Sequence, residues 1–466
     1  MEAMTLNGLK TRIKRVLRPE TLSLILPILV EQSLLMAMGI VNSVMASHLG
    51  TNAVSAIGMV DSVNNLVVAF FSSLAIGATV VIAHYTGRGD IKNANETLKQ
   101  SLYSSLALIV PVVLLMLIFR KPLVYRIYSA AEPAVLANTT VYLFWSALSY
   151  PFIAFSGIAN GAIRGAGDTR TPMFVTLLMN IINIVLGYVL IYGLRVVGIP
   201  FDGLGITGAA LAIFAARVTG ALVLEYILVF RNLRIRLIQP FRFKFNKSLQ
   251  ASLFGIGMPA SVENLLFNLG KVITQTFIVM CGTAAIAANY YSGPCFTIMN
   301  LPGNAMNVAA ATLVGQFMGR GQTEEAQSII LDMLAFTMGI QAVISLVFLP
   351  LARPFLGIYH PEPAVLALTL QYVYMSCLTF PLLWPASFII PSGLRSTGDS
   401  KFCMIVSVSS MWAVRIGVGY LLSVVLKMGV TGVWIGMFAD WLVRGSIYLA
   451  RLLGGKWRKH QVIREL

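Results

Sequence analysis

Six ionisable side chains stand inside long apolar runs of this sequence: Glu31, Asp61, Arg217, Glu263, Arg415 and Asp440. An unpaired charge at the centre of a bilayer costs about 2.5–3.5 kcal/mol even on a lenient insertion scale, so such groups mark ion pathways, substrate sites or buried pairs. At about 1.5 Å of rise per residue, Glu31 and Glu263 fall on the order of 17–20 Å in from the start of their runs, and the other four reach similar depth. Four acids and two arginines are therefore expected to share one layer. A carboxyl beside a cleft can take a cation or a proton from one side of a membrane and release it to the other. Glu263 is the first candidate for that cation coupling, with Glu31 at the equivalent place in the first half of the chain. Pro259 breaks one backbone hydrogen bond, and the carbonyl it frees, together with Asn264 and Asn268, would suit a cation site. Structural pairing is the competing reading. Arg415 or Lys271 would then neutralise Glu263, and Asp440 would pair with Arg444 one turn along. Asp61, Arg415 and Asp440 take supporting places in the functional reading. Asn42, Asn180 and Asn183 would be costly facing lipid, so they are expected to face the bundle as an N-terminal polar site, hydrogen-bonding between helices.

The elements that hold these groups follow from composition. Apolar residues make up 57% of the 466 and charged ones 11%, against about 25% charged in an ordinary soluble domain. A cytosolic enzyme, a disordered chain and a secreted disulfide scaffold are thereby excluded. Runs long enough to cross a bilayer fall at 20–46, 51–83, 97–119, 136–160, 172–193, 206–230, 250–280, 284–314, 326–350, 365–391, 402–426 and 430–453. The expected fold is an all-α membrane protein of twelve transmembrane helices, arranged as two parallel six-helix lobes around a central cleft.

Charge orients the chain. Lys and Arg exceed Asp and Glu by 16, and they gather in alternate short segments, as at a cytoplasmic leaflet rather than on nucleic acid. Lys10, Arg12, Lys14, Arg15 and Arg18 precede the first run, which is too long for a cleavable signal and reads as an uncleaved helix. The outer segments hold Arg120, Lys121, Arg126, Arg195, Arg353 and Lys427, whereas the far more numerous inner basic residues extend to Lys456, Arg458, Lys459 and Arg464. Both termini are expected in the cytoplasm of a cell whose inner (plasma) membrane the chain spans. The divisions are a tail at 1–19, lobes at 20–230 and 250–453, a basic linker at 231–249 on which the lobes rock, and a tail at 454–466. Cys281, Cys295, Cys377 and Cys403 lie singly, without metal-ligand spacing, and read as packing residues. No metal or cofactor is expected.

The chain repeats itself. Pro27 and Glu31 recur as Pro259 and Glu263, Gly87-Arg88-Gly89 as Gly319-Arg320-Gly321, and Glu132-Pro133-Ala134-Val135 as Glu362-Pro363-Ala364-Val365. Arg164 with Gly167-Asp168 recurs as Arg395 with Gly398-Asp399, and Thr207-Gly208 as Thr431-Gly432, all at offsets between 224 and 232 residues. Six spans per half put both halves the same way round in the membrane, the layout of alternating-access transporters. Arg88, Arg164, Arg320 and Arg395 are expected to anchor helix ends to headgroups and hold the inner gate. The glycine runs are too short, and lack the following Lys, for a phosphate-cradling loop.

This duplicated pattern resembles the multidrug and toxic compound extrusion (MATE) transporters over nearly the whole chain. The matching residues are Pro27 with Glu31-Gln32, His48-Leu49-Gly50, both Gly-Arg-Gly turns, and Arg164 to Thr169 with Pro172. Leu394 to Asp399, Trp412 with Arg415, Trp434 and Trp457 complete the set. The resemblance implies an antiporter that exports amphipathic, mostly cationic organic compounds in exchange for Na⁺ or H⁺, working as a monomer in the lipid bilayer with small molecules as its partners. It also implies an Asp late in the first helix and another in the fifth, where this chain has Asn42 and Gly187, and an acid in the seventh helix, matched by Glu263. The 21 methionines and 10% aromatics suit a cleft that accepts flat cations. The alternative reading is a flippase or exporter of a lipid-linked or other endogenous metabolite. An intramembrane enzyme would need a nucleophile and base together, and His48, His84, His360 and His460 fall at helix ends, loops or tails.

Overall fold

Local stop and start signals set helix ends that hydropathy leaves loose. In the computed structural model, which describes residues 12–129, 131–193, 202–240, 242 and 244–463, the spans become α1 (Pro19–Ser47), α2 (Thr51–Arg88), α3 (Ile91–Ile127), α4 (Pro133–Gly165), α5 (Arg170–Tyr192) and α6 (Ile206–Phe230). The second half follows with α7 (Lys247–Val279), α8 (Thr283–Gly319), α9 (Thr323–Gly357), α10 (Pro363–Ser396), α11 (Ser400–Val425) and α12 (Val430–Leu453). Proline at the first helical turn opens both α4 and α10, where its missing N–H is no loss. Asp90 caps α3 by accepting the Asn93 backbone N–H at 3.0 Å, so that helix starts six residues before the apolar run at 97–119. Lys10, Arg195 and Arg464 lie outside the described residues.

Among the described residues nine of these helices carry a sufficiently apolar 18-residue stretch to cross a membrane. The other three, α7, α8 and α12, are as long but hold polar groups such as Glu263, Asn300 and Asp440 in their middle turns. The fold is all helical, as hydropathy predicts. One departure from the regular pattern is confined to α11, which contains π-helical stretches at Ser410–Ile416 and Leu421–Val425, while its repeat counterpart α5 is a regular α-helix throughout.

The chain packs as two compact units, Val30–Gly257 and Met1–Leu29 with Met258–Leu466. The divisions fall inside α1 and α7, beside Pro27 and Pro259, where each helix lacks a backbone hydrogen bond. They do not fall at the basic segment 231–249. That segment is bound within its own unit: Arg236 N–H donates to Asn95 Oδ1 at 2.8 Å, Tyr103 donates to the Pro240 carbonyl, and Gln100 donates to the Lys244 carbonyl. In the other unit the N-terminal turn is held by Arg12, which donates to Asp332 Oδ1 on α9 at 2.7 Å.

The same helix pairs pack in each half, α2 along α4 and α8 along α10, with α5 against α6 and α11 against α12. Glycine permits the second kind of contact. A Cβ on Gly208 would sit 2.1 Å from the Leu190 carbonyl oxygen, and one on Gly432 would sit 2.5 Å from the Ser423 nitrogen. The opposing atoms are backbone and cannot swing aside. Gly208→Ala and Gly432→Ala are therefore each expected to destabilise the purified protein by about 1–3 kcal/mol, seen as a lower thermal unfolding midpoint. Gly157→Ala, whose added methyl meets nothing within 4 Å, is expected to show no such loss.

Candidate functional site

A polar cavity of about 230 Å³ opens inside the Val30–Gly257 unit. Asn42 and Met45 of α1, Asp61, Asn64 and Asn65 of α2, Tyr142 of α4, Asn183 and Gly187 of α5 and Arg217 of α6 line it. The α2 residues share one face because positions three and four apart on a helix are neighbours. Asn64 Nδ2 donates to Asp61 Oδ1 at 3.1 Å, and Asn64 Oδ1 in turn accepts from the buried Tyr150 hydroxyl at 2.7 Å. Asp61 is exposed, and among the described residues no ion pair joins it to a cation. Arg217 donates to Ser149 Oγ at 2.7 Å, which orients its guanidinium without neutralising it. Asn183 Nδ2 donates to Asn42 Oδ1 at 2.6 Å, a bond between α5 and α1 of the kind expected from the amides. The Asn183 Oδ1 is buried and has no hydrogen-bond partner among the described residues. Asn180 is buried and does not line the cavity; its amide donates to the Thr176 carbonyl of its own helix at 3.0 Å.

Glu31 and Glu263 do not line this cavity. Each is buried and held by an arginine from the last turn of a neighbouring helix. Arg164 of α4 donates to Glu31 Oε1 at 2.7 Å, and Arg395 of α10 donates to Glu263 Oε1 at 2.6 Å. In both pairs the second carboxylate oxygen and the arginine Nε are buried without a partner. Counting rise from the start of the apolar run places the two acids at mid-depth, but their partners stand one residue before the ends of α4 and α10. The acids are thus met by side chains from helix ends and not from mid-helix positions. The pairing also corrects two expectations from sequence. The partner of Glu263 is neither Arg415 nor Lys271, and Arg164 and Arg395 turn inward to acids instead of serving headgroups.

The remaining candidates belong to the Met258–Leu466 unit. Asn264 and Asn268 donate to the Ala260 and Asn264 carbonyls at 3.2 and 2.9 Å, back-bonding along α7. Asp440 is fully buried; Ser410 Oγ donates to its Oδ1 at 2.6 Å, while Arg444, one turn on, is 3.9 Å from Oδ2. The serine is therefore its close partner and the arginine a distant one. Arg415, inside the first π-helical stretch, has a buried Nε with no acceptor among the described residues.

Reading the sequence singles out Asp61 and Arg217 by their depth, but it misses Asn64, Asn65 and Tyr142, and the arginines that close on the two glutamates. A signal for the latter was present: Glu31 to Arg164 spans nearly the same interval as Glu263 to Arg395, so acid and base were duplicated together.

Known proteins agree with this architecture. The MatE family model matches residues 27–189 and 259–421, one copy for each half, starting at Pro27 and Pro259. The chain is 28% identical to the probable multidrug resistance protein NorM of Thermotoga maritima, over 96% of this chain and 94% of that one. It superposes on a MOP superfamily transporter from Pyrococcus furiosus with a TM-score of 0.83 at 20% identity, covering 97% of each chain. A multidrug resistance MATE family transporter in an outward-facing conformation gives 0.82 at 20% identity, again over 97% of each. With both halves matched to one family model and the fold matched along its length, the chain belongs to the MatE family, the multidrug and toxic compound extrusion transporters.

Proposed function

We propose that this protein is a secondary active antiporter that exports amphipathic, mostly cationic organic compounds in exchange for Na⁺ or H⁺, by alternating access of two lobes. It works as a monomer in the plasma membrane, with both termini on the cytoplasmic side as the placement of Lys and Arg implies. The family and the relatives named for multidrug resistance support export. The observation that carries the coupling is the Asp61 carboxylate on the wall of a polar cavity, outside any ion pair among the described residues.

One carboxylate cannot neutralise two cations, so a cationic substrate and a coupling ion compete for it, and competition at one site is what exchange requires. A sodium ion would take oxygen ligands from Asp61, Asn42 and Asn65 in place of part of its water shell. A proton would sit on Asp61 itself. Arg217 keeps the cavity near neutral once Asp61 is ionised, which favours release of either cation over tight retention. The family resemblance puts acids at the positions of Asn42 and Gly187, and both line the same cavity here. The acid has in effect been supplied from α2. Glu31 and Glu263 then serve as buried locks at helix ends.

Proteoliposomes holding the purified chain and a fluorescent amphipathic cation test the reading. Movement of the cation is expected to follow an imposed Na⁺ or pH gradient. Movement indifferent to both gradients would remove the antiport.

A further inference from the structure

Three cations surround a single aromatic ring in the Met258–Leu466 unit. Lys271 Nζ lies 5.1 Å, Arg444 Cζ 5.4 Å and Arg415 Cζ 5.7 Å from the centroid of Phe267. A ring has two faces, so at least two of the three charges share one. Cation–π attraction accounts for one cation on a face; it leaves the repulsion between neighbouring cations uncompensated. The acids nearby do not close the balance. Asp440, 3.9 Å from Arg444 and accepting a short hydrogen bond from Ser410, offsets one of the three charges; Glu263, one turn before Phe267, is engaged by Arg395, so two positive charges stay unmatched.

Donors are also in excess. Arg444 is 2% exposed and its Nη1 donates to Ser407 Oγ, but its Nε and Nη2, and the Nε of Arg415, are buried with no hydrogen-bond acceptor among the described residues. Buried guanidinium N–H groups without acceptors are costly to leave so. Two arginine forks and a lysine are the donor set that a carboxylate or phosphate completes. Phe388, stacked on Trp384 and with its ring centroid 4.7 Å from the Arg444 guanidinium, gives the cluster an aromatic flank. The cluster belongs to this half alone, since the first-half positions equivalent to Phe267, Lys271 and Arg444 hold Leu35, Gly39 and Gly220.

We propose that this unit binds the oxyanion of an amphipathic compound, a carboxylate or phosphate on a flat apolar body, at Lys271, Arg415 and Arg444 around Phe267. The site shares no residue with the Asp61 cavity and does not depend on antiport, because binding can be read at equilibrium with no gradient.

The test uses the full chain in phosphatidylcholine nanodiscs, titrated calorimetrically with 2-naphthoate and with 2-naphthamide, which has the same shape and no charge. The naphthoate is expected to bind at least tenfold more tightly, and Lys271→Gln and Arg415→Gln are each expected to remove that preference. Lys271 is exposed, so its variant isolates charge from folding. Phosphatidylglycerol at half of the lipid separates two sources of the anion: displacement of naphthoate identifies a lipid headgroup, and no displacement identifies a soluble amphiphile. Equal affinity for the two probes, absence of naphthoate binding, or an unchanged preference in both variants overturns the proposal.

Discussion

Asp61→Asn is expected to abolish gradient-driven transport while leaving the protein folded. The substitution keeps an oxygen to accept from Asn64 Nδ2, so the 3.1 Å bond on α2 can persist, and the side chain faces a cavity rather than packed atoms. Stability should therefore change by no more than about 0.5 kcal/mol. What goes is the negative charge for which ion and substrate compete, leaving Arg217 as an unbalanced cation in the wall. The decisive measurement is uptake of a fluorescent cation into proteoliposomes under Na⁺ or pH gradients, alongside thermal unfolding. Asn42→Asp added to Asp61→Asn is expected to restore part of the activity, because α1 then supplies a carboxylate to the same cavity. Wild-type coupling in the Asp61→Asn protein would show that this cavity is not where the ion is exchanged.

The largest effect on stability is expected at the glutamate–arginine pairs. Glu263→Ala leaves Arg395 charged among buried groups with its short partner gone, and removing one member of a buried pair costs about 3–5 kcal/mol. Glu31→Ala should do the same through Arg164, since both pairs have the same single bond and nearly the same length. Replacing both members is a different experiment. Glu263→Met with Arg395→Met removes the stranded charge, and pairs exchanged for apolar side chains of similar size are often neutral. Unfolding midpoints of the two single variants and the double variant give the coupling directly. Transport separates a lock from a coupling acid: the double variant is expected to retain gradient-driven uptake. Its loss in a protein that unfolds normally would return the coupling role to Glu263.

Most of the architecture could be read from sequence because its signals are long. Twelve apolar runs each extend over many residues and five short segments recur at nearly constant offset along the chain, so no single side-chain detail can mask them. The site was less legible for a reason that Glu263 illustrates. A helix start taken from hydropathy carries no information about the height of its neighbours, so an acid can look deep in the membrane while meeting an arginine at the end of the next helix. Asp61 was found by depth alone. Its neighbours Asn64 and Asn65 needed only the three-and-four spacing, but the amide network joins Asn64 of α2 to Tyr150 of α4, 86 residues along the chain, and no local pattern reports that. The cluster on Phe267 draws on α7, α11 and α12 and is invisible for the same reason.

The π-helical stretch at Ser410–Ile416 also bears on how two descendants of one duplicated segment came to differ. A π turn takes in an extra residue, and one residue is about 100° of rotation around a helix axis. Residue for residue, the winding through it therefore differs from that of the regular α5. A helical wheel copied from one half to the other would thus misplace the last two turns of α11. Ancestral copies can in this way offer unlike surfaces, amides in one and a guanidinium in the other, by a change in backbone winding as well as by exchanging side chains.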